Sequence, residues 1–282
     1  MNKIIYGDAI KVMKRIKNNS IDTIITDPPY NVVEKMGGFI YLFRKSQVEN
    51  KDIYTKESMQ FDVGFNQTSW IKEAIRVCKY GANIIIFNDW ENMGKIAKEL
   101  RKYKIKVKSL NHWQKTNPLP AEWRRRFVSG REYFLHSVKP GKYQFNVDKL
   151  NNGSFEYGLT KKSEKKFGAH PNQKPVILIE QLIRILSKKG DIILDPFAGS
   201  GTTGVACINT NRNYILIEKE KKYISIIEAR INYANNEKKE YKPGNKIIIN
   251  NIKDKKENQI NLFNSKFNNS KKNRRKNEIK RY

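Results

Sequence analysis

Asp191-Ile192-Ile193-Leu194-Asp195-Pro196-Phe197-Ala198-Gly199-Ser200-Gly201-Thr202-Thr203-Gly204 is the stretch on which the fold turns. Ile192 to Leu194 form an apolar run that predicts a buried strand. Pro196 and two closely spaced glycines interrupt it, and Val205, Ala206 and Ile208 then continue an apolar helical face. Strand, Gly-rich turn and helix start, in that order, set unpaired helix N–H groups beside a backbone that a ligand can approach closely. The next strand, Tyr214-Ile215-Leu216-Ile217, ends in Glu218, about 20 residues beyond the turn, where an acid suits ribose hydroxyls. A nucleotide-like cofactor fits this combination, whereas the turn taken alone reads equally as ordinary helix–strand packing.

The first half of the chain repeats the grammar. The run Ile21-Asp22-Thr23-Ile24-Ile25-Thr26 predicts a strand, and Asp27-Pro28-Pro29-Tyr30 follows it directly. Two prolines continue neither a central strand nor a helix interior, so the tetrapeptide is a rigid turn at the carboxyl end of a strand. Ligands of open α/β sheets bind there. A planar ligand could stack on Tyr30 while its amino group donates to Asp27 and to a proline carbonyl, an arrangement that suits an extruded nucleobase. The bare tetrapeptide is also compatible with a capping Asp and a packed Tyr.

Read coarsely, strands are expected near 3–7, 22–26, 83–87, 105–113, 131–138, 191–195 and 214–217, and helices near 9–17, 69–79, 91–102, 175–188, 202–210 and 220–235. The helix at 175–188 is the clearest, with Pro175 in its first turn, Ile179, Leu182, Ile183 and Leu186 at helical spacing, and Gly190 past its end. The alternation implies an α/β fold with a mainly parallel twisted sheet and helices on both faces.

These residues resemble the S-adenosylmethionine-dependent DNA amino-methyltransferases that modify adenine N6 or cytosine N4. Asp27, Pro28, Pro29 and Tyr30 look like their catalytic DPPY motif, and Phe197 to Gly201 like their FxGxG cofactor motif. The catalytic motif precedes the cofactor loop by about 170 residues, the permuted order that resembles the family's beta group. His170-Pro171-Asn172-Gln173-Lys174-Pro175 is similar to that group's HPxQKP element, and Gly7-Asp8 to its GD element. Trp113-Gln114-Lys115-Thr116-Asn117-Pro118 and Arg131-Glu132-Tyr133 resemble its W-x-K-x-N-P and REY-type elements. The resemblance covers residues 3 to about 232. It implies a Rossmann-like methyltransferase fold, with Asp27 to Tyr30 catalytic and Asp8, His170, Gln173, Lys174, Asp195, Phe197, Gly199, Ser200, Gly201, Thr202 and Glu218 binding S-adenosyl-L-methionine.

On this reading residues 1–235 are the catalytic domain. Residues 31–68 form a mobile loop closing over a flipped base, 139–169 a target-recognition region, and 236–282 a basic, largely disordered tail. The net charge is +28, and the residues from Asn235 onward hold 15 Lys/Arg against 5 Asp/Glu, so the body is basic as well. Double-stranded DNA is the expected partner, because neutralising phosphates releases counterions; a Lys- and Asn-biased composition is the other reading of the charge. Members of the beta group often dimerise, so a homodimer is in view, as is a cognate restriction endonuclease; the sequence decides neither. Cys78 and Cys207 sit in apolar helical patterns and read as buried thiols. The three histidines are too widely spread for a metal site. No leader and no apolar run approaching 18 residues is present, so the protein is expected to be cytoplasmic.

The expected chemistry follows from the target. An exocyclic amine is a poor nucleophile because its lone pair is delocalised, so hydrogen bonds to Asp27 and to the Pro28 carbonyl would prepare it. Within the resembled family, Asp in place of Ser at the first motif position tilts the expectation to adenine N6, with cytosine N4 as the alternative. An RNA or protein amide methyltransferase is disfavoured by motif order, and a catalytically silent DNA-binding protein by intact Asp27, Tyr30, Gly199, Gly201 and Glu218.

Overall fold

Alternation along the central strands dictates a three-layer architecture. In β3 (Cys78–Asn88), Ile84 and Ile86 join one apolar cluster, while Ile85 and Phe87 join another. In β8 (Asn213–Glu218), Ile215 and Ile217 alternate with Tyr214 and Leu216 in the same way. Strand periodicity thus gives the sheet two apolar faces, and both need a cover. The first is covered by α1 (Ala9–Met13), α2 (Ile71–Val77) and α3 (Trp90–Lys102), through residues such as Met13, Ile71, Ile96 and Leu100. The second is covered by α4 (Val176–Leu186), α5 (Thr202–Thr210) and α6 (Lys221–Glu240), through Leu178, Leu182, Ala206, Ile227 and Ile231.

The computed structural model describes residues 2–31, 62–118, 130–147, 152–168 and 170–240. Among these, eight strands form one sheet. Its order is β1 (Lys3–Tyr6), β8, β7 (Ile192–Asp195), β2 (Ile21–Thr26), β3, β5 (Arg131–Val138), β4 (Lys106–Lys115) and β6 (Ser154–Tyr157). Only β5 runs against the others. β7 leads through α5 to β8 on one side of the sheet, and its neighbour β2 leads to β3 on the other. The strand order therefore reverses between β7 and β2, and a crevice is expected beyond their carboxyl ends.

The structure departs from the expected elements in particular places. β3 begins at Cys78, so this residue, expected in a helix, is extended (φ −64°, ψ 137°) and ends α2. Lys139 Nζ donates to the Ile75 and Cys78 carbonyls at 3.0 and 2.7 Å, a partner from distant sequence that ends the helix there. β6 was not expected. It pairs in parallel with β4 and buries Phe155, and four residues are too few to display a period. α6 continues past 235 to Glu240. Of the expected active-site loop at 31–68, residues 32–61 lie outside the described residues, as do 148–151 and 169 of the expected target-recognition region and 241–282 of the expected tail. Among the described residues no helix is long and apolar enough to cross a membrane.

Candidate active site

Four neighbouring parallel strands, β1, β8, β7 and β2, end at one edge of the sheet, and the segments that follow them line a single cavity. Gly7 and Asp8 follow β1, Glu218 ends β8, Asp195 to Ser200 leave β7, and Asp27 to Tyr30 leave β2. His170, Gln173 and Lys174, ahead of α4, complete the wall.

The glycine turn is held from three directions. Glu218 Oε2 accepts the Gly199 N–H at 2.7 Å and Oε1 accepts the Glu220 N–H at 2.7 Å. Burial nevertheless raises the Glu218 carboxyl to about 7. Asp195 receives Thr26 Oγ1 at 2.8 Å, Thr203 Oγ1 at 2.6 Å and the Phe197 N–H at 3.1 Å, joining β2, β7 and α5; burial lifts it to about 6. From α6, buried Arg230 donates to the Ser200 carbonyl at 2.8 Å, Ser200 Oγ at 2.7 Å and Thr202 Oγ1 at 3.1 Å. Burial lowers its guanidinium to about 10. Phe197 meets Phe65 and Trp70 edge-on, with centroids 5.3 and 5.2 Å away.

The proline turn is held just as firmly. Gln67 Nε2 donates to the Pro29 carbonyl at 2.8 Å and Asn92 Nδ2 to the Tyr30 carbonyl at 3.2 Å. Asn88 links the two amides, donating to Gln67 Oε1 at 2.9 Å and accepting from Asn92 Nδ2 at 2.8 Å. Asp62 Oδ1 accepts the N–H groups of Tyr30 and Asn31 at 2.7 and 3.0 Å. All four side chains are buried, and such satisfied networks rigidify what they hold. Among the described residues the Pro28 carbonyl accepts no hydrogen bond. Pro28 lines the cavity together with Asp27 and Tyr30.

Asp27 anchors a chain of charges. Tyr30 Oη donates to Asp27 Oδ1 and Lys174 Nζ to Asp27 Oδ2. Lys174 Nζ also lies 3.0 Å from Glu132 Oε2, and Glu132 Oε1 lies 2.7 Å from Lys115 Nζ. Burial raises the Asp27 carboxyl against the pull of Lys174, whereas Glu132, which burial would raise, is held down at about 2 by Lys174 and Lys115.

Two expected cofactor residues take other places. Gly201 does not line the cavity: it has φ +78°, and a Cβ there would come within 2.9 Å of Ile227, so the glycine permits α6 to pack on the turn. Lys174 reaches the cavity but spends its ammonium on Asp27 and Glu132. Ser200 and Thr202 line the wall with their hydroxyls engaged by Arg230. His170 meets Tyr223 edge-on at 4.5 Å, and burial, then Lys174, Lys222 and Arg230, lower its imidazole to about 3, so it is neutral. Asp8 caps α1, accepting the Lys11 N–H at 2.9 Å. Gln173 Oε1 is buried in the wall with no partner among the described residues. The motif reading placed Lys115 and Glu132 inside recognised elements without giving them a role, and it passed over Gln67, Asn88, Asn92 and Arg230. Arg230 alone carried a local signal, as a charge inside the stripe of Ile227, Ile231 and Ala234.

The family model described as DNA methylase, for N6 and N4 enzymes, matches residues 21–229. The chain is similar to the type II methyltransferase M2.LlaDCHI of Lactococcus lactis subsp. cremoris, with 34% identity over 244 residues, 81% of this chain and 88% of the relative. Its similarity to M2.DpnII of Streptococcus pneumoniae is 34% over 247 residues, 82% and 90% of the two chains. Among solved structures, M1.HpyAVI in complex with SAM aligns with a TM-score of 0.63 and 29% identity, covering 82% of this chain and 100% of the other.

Proposed function

The chain belongs to the N6/N4 DNA methylase family, and from that premise we propose that it is a site-specific adenine-N6 methyltransferase of double-stranded DNA, acting in the cytoplasm. The observation that carries this reading is one cavity lined both by the Asp27 carboxylate, Pro28 and the Tyr30 ring and by the glycine turn with Glu218. Asp at the first position of the tetrapeptide supports adenine over cytosine.

S-adenosylmethionine is the cofactor of this enzyme class, and when bound it supplies a strongly electrophilic sulfonium methyl group. The residues present fit it. Glu218 offers carboxylate oxygens for ribose hydroxyls, Phe197 an immobilised ring for the adenine, and Gln173 Oε1 an unsatisfied buried acceptor. Asp27 and the Pro28 carbonyl accept the two protons of the target amine, which draws its nitrogen toward tetrahedral geometry and stabilises the positive charge that develops there. Tyr30 stacks on the extruded base. Residues 31–68 close over that base, 139–169 read the sequence, and the basic segment 236–282 contacts phosphates. A homodimer and a cognate restriction endonuclease complete the proposal.

Sequencing of DNA from a methylation-free host expressing the chain tests the assignment. N6-methyladenine at one recurring motif is expected. N4-methylcytosine would move the target to the other base, and unmodified DNA from a soluble, folded enzyme would end the proposal.

Cofactor affinity should depend on pH through Glu218. An ionised carboxylate accepts hydroxyl protons with both oxygens and more strongly than the protonated acid, and this one protonates as the pH falls through about 7. Affinity is therefore expected to be full above pH 7 and to fall below it, approaching tenfold per unit for a single proton. Glu218→Gln should bind weakly and without that dependence. Calorimetry showing wild-type affinity constant on both sides of neutrality would remove Glu218 from the ribose.

A further inference from the structure

We infer that Glu132 and Lys174 are positioning residues that keep Asp27 open to the target amine, an inference that rests on the reading of Asp27 given above. Both Asp27 oxygens are engaged by the protein, one by Tyr30 Oη and one by Lys174 Nζ. An incoming amine must share an oxygen with one of them, and an ammonium held by Asp27 alone would outcompete a neutral amine. Glu132 alters that contest. Its Oε2 lies 3.0 Å from the same ammonium, so Lys174 divides its charge between two carboxylates, and Lys115 at 2.7 Å holds Glu132 in place. Along the chain Asp27, Lys174, Glu132, Lys115 the charges alternate and sum to zero. Because Lys174 is shared with Glu132, its ammonium does not fully neutralise Asp27, whose carboxylate keeps negative charge for a nitrogen that turns positive as it is methylated.

The arrangement is built from three separate parts of the fold. Lys174 precedes α4, Glu132 is the second residue of β5 and Lys115 ends β4, with Trp113 opposite Glu132 in the strand register. Lys174 is only 6% exposed, so water screens these interactions little. Lys174 stays protonated, since Asp27 and Glu132 raise its pKa against the effect of burial. The other groups facing the cluster are Tyr30, Asp195 acting on Asp27 across β2 and β7, Asp89 on the Tyr30 side, and neutral His170 beside Lys174.

The two residues act on Asp27 in opposite senses, and this gives a test that a merely structural role would not pass. Without Lys174, Asp27 and Glu132 face each other as like charges and one takes up a proton. Without Glu132, Lys174 belongs to Asp27 alone. Methylation of unmethylated plasmid DNA, at saturating cofactor, is measured from about pH 5.5 to 9, the range that brackets an acid limb. Lys174→Met should move the acid limb of the rate profile up by about one pH unit or more. Glu132→Gln should move it down and lower the plateau, and the double variant should return the limb toward the wild-type position. The Asp27 carboxyl, observed by carbon-13 NMR in the free protein and assigned by its loss in Asp27→Asn, should titrate in the same order. If Lys174→Met does not fold, Glu132→Gln and the double variant still carry the comparison. Coincident limbs and unmoved carboxyl titrations in folded variants would overturn the inference. An active Asp27→Ala enzyme would instead overturn the reading beneath it.

Discussion

Replacing Asp27 with alanine is expected to lower methyl transfer by at least about 10²-fold while cofactor affinity persists, because a preorganised acceptor acts on charge that develops only in the transition state. Asp27 is held in place by Tyr30 and Lys174, and its turn is clamped through the Pro29 and Tyr30 carbonyls by Gln67 and Asn92. The truncation therefore removes the acceptor and leaves the scaffold. Lys174 keeps Glu132 as a partner, so the variant is not left with an isolated buried charge. Isothermal titration with S-adenosylmethionine, alongside transfer of a labelled methyl group to DNA, separates the two effects. Equal loss of both would place Asp27 on the cofactor side of the cavity.

Gly199→Val should fail in the opposite way, losing cofactor affinity by about tenfold or more while DNA binding remains. Gly199 has φ +54°, a left-handed conformation that costs an L-residue about 1–2 kcal/mol; a turn that relaxes away from it must be forced back on binding, and each 1.4 kcal/mol is tenfold in affinity. A Cβ there lies 3.3 Å from His170 Nε2, and His170 is backed by Tyr223. A branched side chain must push into the cavity or pull the backbone away, and the second course breaks the 2.7 Å bond from the Gly199 N–H to Glu218. Calorimetric affinity equal to wild type, in a variant that melts normally, would locate the cofactor elsewhere.

The two turns that carry these residues were legible in the sequence because each follows a strand with an unusual composition, and local sequence determines both. The layers were legible for a similar reason, since Ile84 and Ile86 against Ile85 and Phe87 declare a strand covered on both faces. The partners of the turns were not. Gln67, Asn88 and Asn92 are ordinary polar residues until the fold sets them under Pro29 and Tyr30. Glu132 stood inside a recognised motif without a role, because its partners are Lys115 on the adjoining strand and Lys174 ahead of α4. Gly201 shows the converse: its spacing belongs to the glycine motif, yet its Cα hydrogen faces Ile227 and serves packing. β6 was missed because Phe155 finds its burial through β4, which lies far away in sequence.

The central claim is that Asp27 prepares an exocyclic amine of DNA for methylation. The most direct measurement is mass spectrometry of nucleosides from DNA incubated with S-adenosylmethionine and either the wild-type enzyme or Asp27→Ala at matched cofactor occupancy. The account predicts N6-methyldeoxyadenosine with the wild type and essentially none with the variant. A carbon-methylated base, or the same yield of N6-methyldeoxyadenosine from both proteins, would contradict it.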